Sequence, residues 1–121
     1  MTLRFEVFPA DLDRAVDFYT RVLGFDLLRD ERGTSSPYVA LRCGDVHVGA
    51  AQRPPVAAPD ARRPPTGVEL TLEVDDVEAQ LARVRDSGWP VDEPLQERPW
   101  GLRDFRVLDP DGYYLCITSR R

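Results

Sequence analysis

The chain has 121 residues, of which 42% are hydrophobic, and a formal net charge of -5 at pH 7. This length suits one domain or two small fused modules, and the sequence lacks the apolar run of about 18 residues that a membrane-spanning helix needs. No basic block is longer than two residues, which argues against nucleic acid, because binding to it depends on neutralising phosphates. A cationic small molecule suits this charge balance better.

The two cysteines, Cys43 and Cys116, are too few for a disulfide framework. The N-terminal residues lack the apolar core of a secretion signal. Both observations predict a cytoplasmic protein with reduced thiols. No His stands beside Cys116 in the sequence, so we interpret this thiol as a packing group rather than a nucleophile.

The first half of the chain predicts a strand, a helix and three further strands. Alternation over Leu3–Phe8 predicts the first strand, with Phe5 and Val7 on one face. Asp11 is suited to cap a helix with one apolar stripe, and Gly24 is suited to end it. The remaining strands of this half are predicted at Phe25–Arg29, Tyr38–Cys43 and Val46–Ala50.

Residues 52–66 contain five prolines and no periodic apolar pattern. Since proline cannot donate to a strand ladder, we interpret this stretch as a stiff linker. The pattern then restarts, with a helix that Asp75 or Asp76 caps and Gly88 ends. The strands of this half are predicted at Val68–Val74, Trp89–Val91, Leu102–Leu108 and Tyr113–Thr118. The last two form a hairpin through the turn Asp109–Gly112.

Each half therefore reads as strand–helix–strand–strand–strand. We predict an α+β fold of two tandem βαβββ modules, residues 1–51 and 67–121, joined by the linker 52–66 within one structural domain. One helix covers one face of each four-stranded sheet. The two sheets are expected to form a curved mixed sheet around a concave cleft, where we place a ligand.

The sequence resembles the vicinal oxygen chelate superfamily of glyoxalase I, extradiol dioxygenases and bleomycin-resistance proteins. The resemblance lies in Phe8–Phe25, Leu72–Val77 and Pro99–Gly112. It implies the glyoxalase/bleomycin-resistance fold and often a dimer, and in metal-dependent members four ligands that are His, Gln or Glu. Those ligand positions fall here on Arg4, on His47 or Gly49, on Glu69 and on Cys116.

These residue types predict that no metal and no cofactor is bound. The guanidinium of Arg4 stays protonated, and Gly49 has no side chain. Glu6 lies on the same face as Arg4 and is the available replacement. The resulting set of Glu6, His47, Glu69 and Cys116 mixes hard oxygen ligands with a soft thiol. Such a mixture suits neither the metals that prefer oxygen nor a usual zinc site. Without a metal, catalysis of the chelate type has no electrophile, so we predict no catalytic residue.

The run Glu97–Gly112 is more similar to the bleomycin-resistance branch, whose members sequester antibiotics without a metal. The resemblance implies that Trp100 lines the drug cleft, where it would stack on a planar ring. An alternative interpretation is that Trp100 packs in the interface of a dimer. The aromatic residue that often faces this tryptophan is Gly49 here. We expect this glycine to leave space for a wider or differently oriented ring.

The other predicted ligand-binding residues are aromatic or share the inward alternation, which also fits a solvated sheet face. Acidic groups among them favour a cationic or hydrogen-bond-donating ligand. The complete predicted set is Arg4, Glu6, Phe8, Tyr38, His47, Gly49, Glu69, Thr71, Trp100, Tyr114 and Cys116.

The sequence thus predicts a cytoplasmic homodimer that sequesters a small planar aromatic antibiotic and confers self-resistance. The antibiotic is expected to be bleomycin-like or a quinoline- or quinoxaline-type intercalating peptide. One alternative is a metal-dependent lyase, isomerase or dioxygenase of the glyoxalase type. A second is an accessory protein that carries a biosynthetic intermediate. Neither nucleic acid nor a membrane is a predicted partner.

Overall fold

The computed structural model describes residues 1–52 and 67–120. The chain divides into two compact units, Met1–Arg62 and Arg63–Arg121. Each unit contains a four-stranded sheet and one helix, in the order strand, helix, strand, strand, strand. The predicted α+β fold of tandem βαβββ modules is therefore confirmed. The predicted linker lies, apart from Gln52, outside the described residues, and the module boundaries stay predictions.

The first unit has its strands in the order β1-β4-β3-β2, with β1 parallel to β4 and the other pairs antiparallel. Asp11 caps its helix by accepting a hydrogen bond from the Arg14 N–H at 3.1 Å. Gly24, at φ 90°, follows the helical segment. The elements are β1 Arg4–Val7, α1 Leu12–Asp17, β2 Asp26–Asp30, β3 Tyr38–Cys43 and β4 Val46–Ala51.

Helix α1 continues into a π-helical turn at Phe18–Val22, which the sequence did not predict. Within it, the Thr20 hydroxyl donates to the Val16 carbonyl oxygen at 2.6 Å. Such a bond from a threonine to its own helix bends the helical backbone. The turn fully buries Phe18 and Tyr19, whose rings meet edge to face with centroids 5.0 Å apart.

The second unit repeats this architecture with the strand order β5-β8-β7-β6 and a parallel β5–β8 pair. Of the two candidate caps, Asp76 accepts the hydrogen bond, from the Ala79 N–H at 2.9 Å. Gly88 follows the helix at φ 82°. The elements are β5 Leu70–Val74, α2 Val77–Asp86, β6 Glu93–Glu97, β7 Arg103–Leu108 and β8 Tyr114–Ser119.

The predicted strand Trp89–Val91 was wrong, because the strand after α2 is β6 at Glu93–Glu97. This strand has the sequence EPLQE and weak β propensity. It lies at the sheet edge, where the missing N–H of Pro94 is tolerated. Trp89 instead donates its Nε1–H to the Leu108 carbonyl oxygen at 2.9 Å.

One side chain adds two hydrogen bonds to the backbone bonds of the turn between β7 and β8. The Asp109 carboxylate is 4% exposed and accepts hydrogen bonds from the N–H groups of Asp111 and Tyr113, each at 2.9 Å. Gly112 closes the turn at φ 92°. This turn sets Leu108 opposite Tyr114 and thereby fixes the register of the whole hairpin.

One face of each sheet is apolar and buried. Helix α1 contacts β4, and helix α2 contacts β7 and β8. The most buried strand residues on this face, each at most 1% exposed, are Val7, Val39, Leu41, Val48 and Ala50 in the first unit and Phe105, Val107, Leu115 and Ile117 in the second. Neither helix in the described part of the chain has the length and apolar content for a membrane crossing.

Candidate functional site

The face opposite the helix in the second unit carries a row of polar side chains across four strands. Thr71 pairs with Cys116, Cys116 with Arg106, and Arg106 with Glu93. Residues paired in this way point to the same face. Two predicted ligand-binding residues, Thr71 and Cys116, are thus brought into one row with two residues that were not predicted.

Arg106 is the centre of an ion-pair network on this face. Its Nε donates to Glu69 at 2.8 Å, and one of its terminal nitrogens donates to Asp104 at 3.0 Å and to Glu93 at 3.1 Å. The hydrogen bond with Glu69 raises the pKa of Arg106. The Arg106 side chain is only 15% exposed, so these contacts replace much of its hydration.

Arg98 completes the network from the start of the β6–β7 turn. It donates to Asp104 at 2.9 Å and to Glu93 at 3.1 Å, and the bond with Asp104 raises its pKa. Asp104 is 2% exposed and would be costly to bury without these two guanidiniums. The network contains three carboxylates and two guanidiniums and so carries one net negative charge.

Cys116 and Tyr114 lie beside this network on β8. Burial raises the pKa of the Cys116 thiol to about 11, with nearby Arg106 acting in the opposite direction. Burial also raises the pKa of Tyr114 to about 12, and its hydrogen bond with Asp92 adds to the shift. Both groups are therefore neutral at pH 7, which suits Cys116 to packing and not to nucleophilic attack.

These shifts predict that the protein loses stability in alkali. The folded thiol of Cys116 holds its proton up to about pH 11, whereas the ordinary value is 9.0. The unfolded chain therefore releases the proton first, and the free energy of unfolding should fall as the pH rises from about 9 to about 11. Urea unfolding at a series of pH values across this interval measures the fall in the free energy of unfolding. The Cys116→Ala variant should show a shallower fall, and an identical slope would contradict the prediction.

The corresponding row of the first unit is built from a glutamate and small residues. Glu6 pairs with Gly49, and Gly49 with Ala40. A Cβ on Gly49 would overlap the Glu6 carboxylate, so the absence of a side chain is what lets the carboxylate lie there. Arg4 holds it from the same strand, with Nε 2.9 Å from the Glu6 oxygen.

This contact corrects the expectation that Gly49 leaves space for a wider ring. The space above Gly49 contains the carboxylate of Glu6. The same pairing also resolves which of two residues is equivalent to Cys116. Glu6 and Thr71 stand equally far before the capping aspartates of their helices, and they pair with Gly49 and Cys116 respectively. Gly49 is therefore the equivalent position, and His47 is not.

The remaining predicted residues are distributed as follows. Trp100 is 58% exposed, at the tip of the β6–β7 turn that the Gly101 N–H closes on the Arg98 carbonyl oxygen at 3.0 Å. Tyr38 begins β3, is half-buried and shares the face of Ala40. Phe8, directly after β1, and His47, between Arg4 and Arg42 on the neighbouring strands, are also half-buried.

The four positions that the resemblance assigns to metal ligands do not fit a metal ion. Arg4 is a cation paired with Glu6, and Gly49 offers no donor atom. The Glu69 carboxylate is engaged by Arg106, and Cys116 offers a soft thiol that is only 4% exposed. Among the described residues of either unit, no three His, Cys, Asp or Glu side chains are grouped so that they could hold a metal.

Sequence reasoning missed Arg98, Asp104, Arg106 and Glu93. Asp104 and Arg106 alternate with the buried Phe105 and Val107 along β7. That alternation, counted back from the tight turn at Asp109, places both on the face of Cys116. The alternation along β7 was therefore enough to place Asp104 and Arg106. The positions of Arg98 and Glu93 could not be found in this way, because the sequence analysis misplaced the edge strand on which they depend.

The element order and strand pairing of the two units define a tandem βαβββ protein. A family model described as the Glyoxalase/Bleomycin resistance protein/Dioxygenase superfamily matches residues 3–117, and the chain belongs to this superfamily. The resemblance inferred from the three sequence stretches is thereby confirmed.

Three known proteins are similar to this chain in sequence or in structure. A probable lactoylglutathione lyase from Vibrio cholerae serotype O1 is 30% identical over 116 residues, which are 92% of this chain and 84% of that protein. The crystal structure of TioX from Micromonospora sp. ML1 covers 100% of both chains with a TM-score of 0.79 and 28% identity. A glyoxalase/bleomycin resistance protein from Streptomyces sp. CB03234 has a TM-score of 0.71 and 31% identity, over 97% of this chain and 98% of that one.

Proposed function

We propose that this protein binds a small planar aromatic antibiotic and sequesters it without breaking a bond, as a cytoplasmic homodimer that confers self-resistance. The observation that carries the proposal is the chemistry of the four positions equivalent to metal ligands. They hold a guanidinium, a glycine, an ion-paired carboxylate and a buried thiol. This set supports capture of a ligand more than it supports electrophilic catalysis.

The exposed ring of Trp100 supports a planar aromatic ligand. More than half of its surface faces solvent, so a ligand ring can stack on it. Stacking contributes about 0.5–1.5 kcal/mol beyond the burial of apolar area, which itself contributes about 25 cal/mol per Å². Ligands of the bleomycin type and quinoline- or quinoxaline-type intercalating peptides offer such rings.

The proposal is tested by calorimetric titration with bleomycin and with the quinoxaline peptide echinomycin. At least one of them is expected to bind with a Kd in the micromolar range or below, and to be recovered chemically unchanged. Prior treatment of the protein with EDTA should leave the affinity unaltered, and the protein should sediment as a dimer. Loss of binding after EDTA, or conversion of the ligand to a product, would overturn the non-catalytic proposal.

A metal-dependent enzyme of the glyoxalase type is the second candidate, favoured by the 30% identity to the probable lactoylglutathione lyase. The discriminating measurement is formation of lactoylglutathione from methylglyoxal and glutathione by protein incubated with Zn²⁺, Ni²⁺ or Mg²⁺. Turnover that depends on the added ion and disappears in Glu69→Gln would establish the enzyme. The proposed binding function predicts no turnover with any of the three ions.

A further inference from the structure

We infer that Glu6 is the residue that selects positive charge in the ligand, and that a cationic group of the ligand binds it by displacing Arg4. The inference rests on the proposed function and deepens it. It assigns this role to Glu6 and not to the other carboxylates on the sheet faces opposite the helices. It also names the ligand class, which is a planar aromatic ring bearing a positive charge.

The first support is the position of the Glu6 carboxylate. It lies over Gly49, in a volume that a Cβ would fill, and the next residue in the row is Ala40. Because Gly49 and Ala40 have minimal side chains, the Glu6 carboxylate is the main functional group at this point of the face. A ligand that reaches Gly49 and Ala40 therefore contacts the Glu6 carboxylate. An aromatic residue in place of Gly49 would have presented a ring there instead.

The second support is the weakness of the contact that holds Glu6. Its partner Arg4 is 63% exposed, and Glu6 itself is 31% exposed. An ion pair between exposed side chains contributes little to stability, because water and salt screen it and the long arginine loses rotamer freedom. Release of Arg4 into solvent therefore costs little when a cation on the ligand replaces it.

Glu69 differs in this respect, although it directly precedes the equivalent strand of the second unit, β5. Its partner Arg106 is 15% exposed and also contacts Asp104 and Glu93. Removing Arg106 from Glu69 would disturb a network that holds a buried carboxylate. Of these two ion-paired glutamates, Glu6 is the exchangeable one and Glu69 is fixed.

The test compares two probes of nearly the same ring system, N-methylquinolinium, which is a cation, and quinoline, which is neutral at pH 7. Wild-type protein is expected to bind N-methylquinolinium about tenfold more tightly, because the bound ring excludes from the new ion pair the water that screens the pair of Arg4 and Glu6. Glu6→Gln should abolish this preference and leave the affinity for quinoline within about twofold. Gly49→Ala should reduce the preference as well, because its Cβ moves the carboxylate.

Glu31→Gln is the matched control. Glu31 also pairs with an arginine two residues before it, Arg29, at 2.8 Å and on the surface of the same unit. This variant changes the net charge equally and should retain the tenfold preference. An unchanged preference in Glu6→Gln, or none in the wild type, overturns the inference and leaves the proposed function standing. Failure of wild type to bind either probe or either antibiotic overturns both.

Discussion

Replacing Arg106 with methionine is expected to lower the free energy of unfolding by up to about 3 kcal/mol, because the buried charge with which it pairs then keeps only part of its compensation. The charge left behind is chiefly that of Asp104, which is 2% exposed and would retain only Arg98. Glu69 and Glu93 lose the same partner. Urea unfolding monitored by tryptophan fluorescence measures the change.

The control is Arg29→Met, which removes an exposed arginine from its pair with Glu31. That change should cost less than about 1 kcal/mol. Adding Asp104→Leu to Arg106→Met should recover part of the loss, since the buried charge is removed together with its partner. If Arg106→Met costs no more than Arg29→Met, the network does not stabilise the second unit.

Replacing Trp100 with alanine is expected to weaken binding of the antibiotic by tenfold or more while leaving the free energy of unfolding nearly unchanged. The ring is exposed and so contributes little to the folded core. In a complex, its stacking and buried area together exceed the roughly 1.4 kcal/mol that corresponds to a factor of ten. Calorimetric titration of the ligand identified with wild-type protein gives the ratio.

Trp89→Phe provides the comparison for Trp100. Trp89 uses its indole N–H to bond the Leu108 carbonyl oxygen, so its replacement should reduce stability and leave the affinity unaltered. Trp100→Phe should retain most of the affinity, because a ring remains available for stacking. Equal affinities of wild type and Trp100→Ala would place the ligand away from the β6–β7 turn.

The features that were predictable from the sequence are the local ones. Asp11 and Asp76 cap their helices through a side chain three residues from its donor, and Gly112 closes a turn within four residues. Such contacts depend only on neighbouring residues. Strand β6 was mislocated because its residues have little β propensity of their own and are held in place by β7.

The sequence allowed us to predict on which face of a sheet the site residues lie, but not which side chains they contact. Alternation placed Glu6, Glu69 and Cys116 on the helix-free faces. It did not reveal that Arg106 reaches Glu69 from a strand far along the chain, nor that Glu6 fills the volume above Gly49. Both contacts depend on the register between strands and on side-chain direction, which a single sequence does not encode locally.

The two copies of the module are expected to differ in how readily they accept mutation. In one copy, the row through Gly49 and Ala40 is made of minimal side chains beside an exposed ion pair, and substitutions there alter shape at small thermodynamic cost. In the other, the same row passes through Arg106, which pairs with the buried Asp104, so substitutions there are expected to cost more stability. Evolution toward a new ligand is thus expected to proceed mainly in the first copy, while the second preserves the folded state.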